Sequence, residues 1–438
     1  MPVAKETARA GRERVLRGRH GSSSFAMVVT IAAMCFLAAD WPCFRGPKSS
    51  GASDDAAGPT RWTATDVVLW KTALPGFGAS SPITWDGKVF VTSYNGYGLD
   101  EDNPGRQEDL RMHLTSLNLS DGSVAWAREI QPAIPEQDYR GFLAIHGYAS
   151  GTPATDGERV YVAAGRSGVL AFTMAGRPVW RTSIGSGRHE WGSATSVVLH
   201  GDLVIVNASV ESGAIIALTK ADGKEAWRRE GIRQSWSTPL VAAAVGGREE
   251  LVVSAQGKAL GLDPNTGAQL WECESVDDFV CPSVIAHGGV AYITGGSKPF
   301  CMAVRLGGRG DVTESHRLWK IEKTPKVATP LYQAGRLHWI DHRGNAVCID
   351  AANGALVYEQ NLHVDGRGDK VYASLVRAGD KLYGVTRQGE TIVLAPGPKL
   401  LELARNSLDD PSAFHATPAV CNGRLLIRSD RFLYCIGN

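Results

Sequence analysis

The sequence predicts an all-β protein: one eight-bladed β-propeller with four-stranded antiparallel blades, the last blade being closed by an N-terminal strand. Three observations predict it: a short motif that recurs eight times, an aromatic residue at one place in most repeats, and a lone strand pattern ahead of the first repeat. A repeat of about 40 to 45 residues is typical of propellers, in which each repeat forms one blade. One such ring accounts for most of the 438 residues as a single domain.

The recurring motif combines a small residue and Ser or Thr with Pro, and a Gly and a β-rich run follow it. Its intervals are 71 residues once, 43 four times, and 48 and 45 once each. Because Pro is tolerated where a strand edge has no partner, we expect it to begin the innermost strand of most blades. The eight anchors are Pro82, Pro153, Ser196, Pro239, Pro282, Pro330, Leu375 and Pro418.

The rest of each repeat predicts three further strands. A Gly turn such as Asp86-Gly87-Lys88 leads into β-branched or apolar runs, and a second Gly turn supplies the positive φ of a bulged hairpin before the outer strand. An aromatic residue stands four residues after that second Gly, and we interpret it as a wedge between neighbouring blades. These residues are Trp126, Trp180, Trp227, Trp271 and Tyr358, with Trp319 at the equivalent place after a longer loop.

The last repeat runs from Pro418 to Ile436 and is one strand short. A lone strand pattern with a blade-final Trp70 precedes the first repeat, so we expect a strand at 66–71 to complete blade 8 and remove its open edge. The predicted organisation is a leader at 1–39, an extension at 40–65 and the propeller at 66–438.

The leader predicts export. Six Lys or Arg residues precede an uncharged run at 25–39, which has the length of a signal-peptide core and is short for a membrane-spanning helix. A cleaved signal peptide and a retained anchor both stay open. Either one places the propeller outside the cytoplasmic membrane, in the periplasm or the extracellular space.

Charge and cysteine content exclude some functions. From residue 40 onward the chain has 40 basic and 43 acidic residues, and this near-neutral balance argues against a nucleic-acid surface. Seven cysteines follow the leader, so at least one is unpaired. Cys421 and Cys435 are expected on strands one and three of the last blade, roughly 9–10 Å apart, which is too far for a disulfide.

The repeat Leu260-Gly-Leu-Asp-Pro-Asn-Thr-Gly-Ala-Gln-Leu-Trp271 resembles the A-x-D-x-x-T-G-x-x-x-W repeat of the pyrroloquinoline-quinone (PQQ)-type β-propellers. The resemblance covers 66–438, and the opening Trp41-Pro-Cys-Phe-Arg-Gly-Pro47 resembles the W-P-x-F-R-G-P start of an exported subgroup. That family includes quinone-dependent dehydrogenases, the propeller lipoprotein of the outer-membrane barrel-assembly machinery, and members with no assigned role. The resemblance therefore implies the fold more strongly than a function.

The loops that enter the innermost strands are expected to open around the central channel on one face, where aromatic and ionisable residues recur. They suit a flat, polar or anionic ligand stacked on Trp191 or Trp236. A protein or peptide contact surface and no defined site are the alternatives. The candidate binding residues at this channel mouth are His146, Tyr148, His189, Glu190, Trp191, Arg233, Trp236, Asp277, Lys326, Tyr372 and His415.

The alcohol-oxidising members of the family use adjacent cysteines over the quinone, and this sequence has no such pair. Its long insertion at 94–111 is acidic but lacks the spacing of a Ca²⁺ loop. His338 and His342 fall on a predicted strand about 13 Å apart, so they cannot share a zinc ion. We predict no metal site and no catalytic residue.

We therefore expect a monomeric, non-catalytic scaffold for binding or assembly, without a cofactor. Its expected partners are an envelope or extracellular protein or peptide, or a small ligand; a nucleic acid is not among them, and the membrane is contacted only through an uncleaved leader. The alternative is a PQQ-dependent dehydrogenase that also binds Ca²⁺. There Trp191 or Trp236 would stack on the quinone, and Lys326 or Arg233 would pair with its carboxylates.

Overall fold

The computed structural model describes residues 40–54 and 58–437; the predicted leader at 1–39 lies outside them. These residues form a ring of eight antiparallel sheets, each with the four strands of one blade. The predicted fold class is therefore confirmed. Across the described residues, no helix has both the length and the apolar composition needed to cross a membrane.

The strands follow the predicted repeat. Blades 1 to 4 consist of Ile83–Trp85, Lys88–Asn95, Arg111–Asn118 and Val124–Ile130; Ala154–Thr155, Arg159–Ala163, Val169–Thr173 and Pro178–Thr182; Val198–His200, Leu203–Ala208, Ala214–Thr219 and Glu225–Glu230; and Leu240–Ala243, Glu249–Ala255, Lys258–Leu262 and Gln269–Glu274. Blades 5 to 7 consist of Ile285–His287, Val290–Gly295, Phe300–Arg305 and Arg317–Ile321; Leu331–Gln333, Arg336–Ile340, Asn345–Asp350 and Leu356–Asn361; and Val376–Ala378, Lys381–Val385, Thr391–Ala395 and Leu401–Asn406. Blade 8 consists of Ala419–Cys421, Arg424–Arg428, Phe432–Ile436 and Val68–Ala73.

The remaining elements are short. Two extra strands, Ala52–Ser53 and Gly310–Asp311, pair in parallel with the inner edge of blade 7 and the outer edge of blade 4. The helical turns are Phe142–His146, Thr313–His316, Pro47–Ser49, Gln107–Asp109 and Gly165–Ser167.

The N-terminal strand closes the ring as predicted. Val68–Ala73 runs antiparallel to Phe432–Ile436, with one register shift between Val68 and Trp70. The strand begins and ends two residues later than the predicted 66–71. The pairing extends to the hairpin of blade 8, where the Leu74 N–H donates to the Arg431 carbonyl over 2.9 Å.

The repeated Trp residues pack as wedges between blades, as predicted. The indole N–H of Trp227 donates to the Pro264 carbonyl of the next blade over 3.1 Å, and its ring covers the Gly267 turn. A Cβ atom on each covered glycine would lie 2.5 to 2.9 Å from the Trp ring. The five interlocked pairs are Trp70 with Gly122, Trp126 with Gly176, Trp180 with Gly223, Trp227 with Gly267, and Trp319 with Gly354.

Trp271 is the exception among the wedges. Blade 5 has a longer loop in place of the short Gly turn, and part of that loop forms the extra strand Gly310–Asp311 against blade 4. The Trp271 N–H donates instead to Oε2 of the buried Glu250 over 2.7 Å. The ring still packs in the core between blades 4 and 5.

The cysteines act as core residues. No disulfide joins the seven cysteines of the described chain, five of which are buried. Burial raises the pKa of the Cys281 thiol to about 12. This thiol therefore stays protonated near neutral pH and behaves as a small apolar group.

Candidate binding cavity

Eight Ser or Thr residues, one from each blade, form a hydroxyl ring around the channel. Along seven consecutive pairs, the backbone N–H of one member donates to the hydroxyl of the next blade's member over 2.8 to 3.2 Å. Each member lies two residues before its blade's inner strand, and all are buried. The members are Ser81, Thr152, Ser196, Thr238, Ser283, Thr329, Ser374 and Thr417.

The hydroxyl ring explains the recurring motif. Ser196 and Ser374 keep the hydroxyl in the two repeats that lack Pro at the predicted anchor, and in blade 5 the Pro precedes its ring residue instead of following it. In seven of the eight repeats the hydroxyl thus supplies an acceptor for the neighbouring blade's N–H. Pro stands next to the hydroxyl residue in most repeats, but the hydroxyl is also present where Pro is absent.

A second ring lies two residues before the first. Because alternate residues of an extended chain face the same side, these eight side chains line the same channel. They are Ala79, Ser150, Ala194, Trp236, Cys281, Val327, Tyr372 and His415.

The segment 41–51 closes one end of the channel. Trp41 exchanges hydrogen bonds with Thr84 of blade 1, donating to its hydroxyl over 2.9 Å. On the other side, the fully buried guanidinium of Arg45 donates to the Pro330 carbonyl over 2.8 Å and to the Leu375 carbonyl over 3.3 Å. Phe44, between them in sequence, lies in the channel lining. The segment therefore reaches from blade 1 to blades 6 and 7 as a plug.

A cavity of about 420 Å³ lies between the hydroxyl ring and the open mouth. Ser and Thr residues are numerous in its lining, but most of the surface that they and their neighbours expose to the cavity is apolar. Besides the two rings, it is lined by Phe44, Phe142, Ile145, His146, Trp191, Phe279, Ser297, Lys326 and Asp369.

One wall is an aromatic cluster centred on Trp191. Its ring centroid lies 4.7 Å from that of Trp236, 4.7 Å from Phe279 and 5.0 Å from Phe142, in tilted and edge-to-face arrangements. Trp236 is buried, and its N–H donates to the Gly192 carbonyl over 2.8 Å. The wall therefore has a fixed member, Trp236, and a partly exposed one, Trp191.

The other wall carries one ion pair. Lys326 Nζ lies 3.0 Å from Asp369 Oδ2, which also accepts a hydrogen bond from the Tyr372 hydroxyl over 3.0 Å. Burial opposes ionisation of Asp369, but the hydrogen bond and charge of Lys326, with the Tyr372 bond, outweigh it and lower the carboxyl pKa. The pair is therefore ionised and neutralises itself.

Two histidines complete the lining. His146 Nε2 lies 2.8 Å from the Trp191 carbonyl, and burial lowers its pKa. Burial, helped by the charge of Arg387, lowers the pKa of His415 to about 3. Both imidazoles are neutral at pH 7, so the lining side chains carry no net charge.

The structure brings six of the eleven predicted mouth residues into the cavity: His146, Trp191, Trp236, Lys326, Tyr372 and His415. His189 is not part of the lining but contacts the aromatic wall, with its ring centroid 4.7 Å from that of Trp236. The other four lie elsewhere. Tyr148 packs against Tyr94, Tyr97 and Tyr139, and its hydroxyl donates to the Gln137 carbonyl over 2.7 Å. Glu190, Arg233 and Asp277 are exposed outside the lining, because they lie farther out on their loops.

The lining does not fit PQQ, the cofactor implied by part of the family. PQQ carries several carboxylates, and the one cationic side chain of the lining, Lys326, is already paired with Asp369. Asp369 is also the one carboxylate in the lining, and no group of three or more His, Cys, Asp or Glu in the described chain is arranged to hold a metal ion. Cys281 stands alone there and offers no cysteine pair.

Comparisons with known proteins agree with this fold. A family model described as outer membrane protein assembly factor BamB, PQQ_2, matches residues 110–360. No curated protein matches the chain. Among solved structures, BamB from Moraxella catarrhalis has a TM-score of 0.61 at 17% identity, covering 84% of this chain and 98% of its own. A quinohemoprotein alcohol dehydrogenase from Comamonas testosteroni has a TM-score of 0.63 at 11% identity, covering 91% of this chain and 80% of its own.

At such identities the solved structures show a common fold and no more. The family model, in contrast, spans more than half of the sequence. This chain therefore belongs to the PQQ_2 family of propellers, described as outer membrane protein assembly factor BamB.

Proposed function

We propose that this protein is a non-catalytic binding scaffold whose recognition site is the central cavity. The observation that carries the proposal is a cavity with one open end, plugged at the other by Phe44 and walled by the Trp191 cluster. Apolar cavities of this size with a few convergent polar groups are the usual form of ligand sites in proteins.

A quinone-dependent dehydrogenase is the less favoured alternative. It would need cations for the quinone carboxylates and oxygen ligands for Ca²⁺, and the lining offers one self-neutralised ion pair, Lys326 with Asp369. The histidines of the lining have pKa values lowered by burial, which suits hydrogen bonding better than charge stabilisation. We therefore propose that the protein works without a cofactor.

We further propose that the scaffold acts outside the cytoplasmic membrane, as a monomer. The basic leader followed by an apolar run supports export, and the family description refers to assembly of outer membrane proteins. The expected partners are envelope or extracellular proteins or peptides, or a small ligand, that reach the open mouth.

Native mass spectrometry of protein isolated from its own envelope tests the recognition site. We expect the wild type to retain a non-covalent species that Ala194→Phe loses, because the added ring fills the cavity without removing a polar contact. Arg233→Ala, on the rim and outside the lining, is the matched control and should retain it. A wild type with no bound species, or one kept equally by Ala194→Phe, would contradict the proposal.

Calorimetric titration with PQQ and Ca²⁺ tests the absence of quinone chemistry. We expect no saturable heat and no dye reduction after loading. A stoichiometric isotherm accompanied by dye reduction would establish the dehydrogenase alternative instead.

A further inference from the structure

We propose that the cavity is selective for an uncharged aromatic ligand, a planar compound of one or two rings with a hydrogen-bonding group, such as a phenol or an indole. This inference rests on the proposed function, since it assigns a chemical class to the ligand of the same cavity. Three features of the lining carry it: its aromatic wall, its charge balance and its unpartnered nitrogens.

The aromatic wall favours a flat ring. Trp191 already contacts three aromatic side chains at centroid distances of 4.7 to 5.0 Å and remains partly exposed. Aromatic rings gain from tilted and edge-to-face contacts beyond the area they bury. A ligand ring beside Trp191 would extend that cluster, which an aliphatic chain of equal size cannot do.

The charge balance of the lining side chains disfavours a charged ligand. Lys326 and Asp369 satisfy each other over 3.0 Å, and the Tyr372 hydroxyl adds a hydrogen bond to the carboxylate. A charged ligand would leave water without gaining a free counter-charge among the lining side chains, and uncompensated burial of charge is costly. This separates the expected ligand from PQQ, which is also flat but anionic.

Two buried nitrogen atoms of the lining residues have no hydrogen-bond partner within the described chain, Trp191 Nε1 and His415 Nδ1. Buried polar atoms are normally satisfied, so both favour a ligand with a hydrogen-bonding group over a plain hydrocarbon. A sugar carries many hydroxyls and would leave several of them against Phe44, Ile145 and Val327. A ligand with a hydrogen-bonding group but few hydroxyls meets both requirements, and phenols and heteroaromatic rings are of this class.

The test uses the full exported chain and four probes in two matched pairs: p-cresol with 4-hydroxybenzoate, and indole with indole-3-carboxylate. Calorimetry should give one saturable site for p-cresol or indole, and affinity at least about tenfold weaker for the anion of the same pair. Ala194→Phe should abolish binding, and Arg233→Ala should leave it unchanged. Thermal unfolding of each variant verifies that it is folded.

Trp191→Ala gives a second, independent readout. It removes the centre of the aromatic wall without filling the cavity, so the affinity for p-cresol and for indole should fall by about tenfold. Glucose should bind neither to this variant nor to the wild type. Glucose binding at the cavity, or equal affinity for acid and neutral probe, would overturn the inference.

Failure of this inference can be told apart from failure of the proposed function. If native mass spectrometry finds a cavity-bound peptide, lipid or sugar, and p-cresol and indole do not bind, the ligand class is wrong but the scaffold proposal stands. If no species occupies the cavity in either experiment, both fail.

Discussion

The backbone N–H of Thr329 in blade 6 donates a hydrogen bond to the hydroxyl of Ser374 in blade 7, and the two atoms lie 2.8 Å apart. The Thr329 hydroxyl in turn accepts the N–H of Ser283 in blade 5 over 2.9 Å. Thr329 thus serves two neighbours, as do the other ring residues from Thr152 to Ser374. Its carbonyl also accepts a hydrogen bond from Arg45 of the plug. The ring therefore joins neighbouring blades close to the axis.

The first prediction concerns this ring. Thr329→Val keeps the side-chain shape but leaves the buried Ser283 N–H without its acceptor, so unfolding free energy should fall by about 1–3 kcal/mol. Urea unfolding measures the change. Thr65→Val, at an exposed position, is the control and should stay within about 0.5 kcal/mol of wild type. Equal stability of the two variants would mean that the ring contributes little.

A second prediction isolates the Trp–Gly contact between blades. Gly267 and Gly247 both have positive φ, +71° and +86°, so alanine strains the backbone at each. At Gly267 the new Cβ would also meet the Trp227 ring at 2.5 Å, whereas at Gly247 nothing lies within 4 Å. Gly267→Ala should therefore cost about 1–3 kcal/mol more than Gly247→Ala. Thermal or urea unfolding of both variants gives the difference, and a value near zero would contradict the wedge role.

The sequence was sufficient to predict the eight-bladed propeller but only part of the cavity lining, and the reason is geometric. The closing strand with Trp70 and the wedge residues follow from repeat spacing, which local turns and pairing enforce. Trp236, Tyr372 and His415 could be predicted because each lies close before an inner strand. Their position two residues before a ring hydroxyl is the signal that would also have found Ala194 and Val327.

Asp369 could not be predicted in the same way. It lies on a loop, and its place in the site depends on Lys326 from the neighbouring blade, a relationship that no local pattern records. Phe142 and Ile145 come from the long connection between blades 1 and 2. In the sequence, the 71-residue interval between the first two anchors indicates that extra chain is present there, but not that it reaches the cavity. Arg233 and Asp277 show the converse, since polarity near an anchor does not by itself turn a side chain toward the axis.

A third prediction concerns pH. Burial raises the pKa of Glu136 to about 7, assisted by the charge of Glu211 and opposed by the Ser167 hydrogen bond and Arg166. Its ordinary value is near 4.5, so the native state binds this proton more tightly than the unfolded state. The contribution to stability is complete below about pH 4.5 and is lost as pH rises through about 7.

Glu136→Gln removes that titration. The unfolding free energy of wild type should therefore fall relative to Glu136→Gln by roughly 1–3 kcal/mol between pH 4.5 and pH 8. Chemical unfolding at a series of pH values measures the difference. Glu190→Gln, at an exposed position, should run parallel to wild type; a parallel Glu136→Gln curve would show that the carboxyl does not hold its proton.

The last prediction concerns the ion pair of the cavity. Asp369→Asn keeps the side-chain shape and an acceptor for Tyr372 but leaves Lys326 without its counter-charge, so the lining becomes positive. A partly desolvated ammonium attracts an anion more strongly than it would in water. The affinity for 4-hydroxybenzoate should therefore rise by about tenfold over wild type, equivalent to about 1.4 kcal/mol, while that for p-cresol changes little.

The control is Glu359→Gln, which frees Lys323 of an ion pair outside the lining and should alter neither affinity. Calorimetric titration of each variant with both probes measures the change. If Asp369→Asn binds 4-hydroxybenzoate no better than wild type does, charge neutrality at Lys326 is not what selects the ligand.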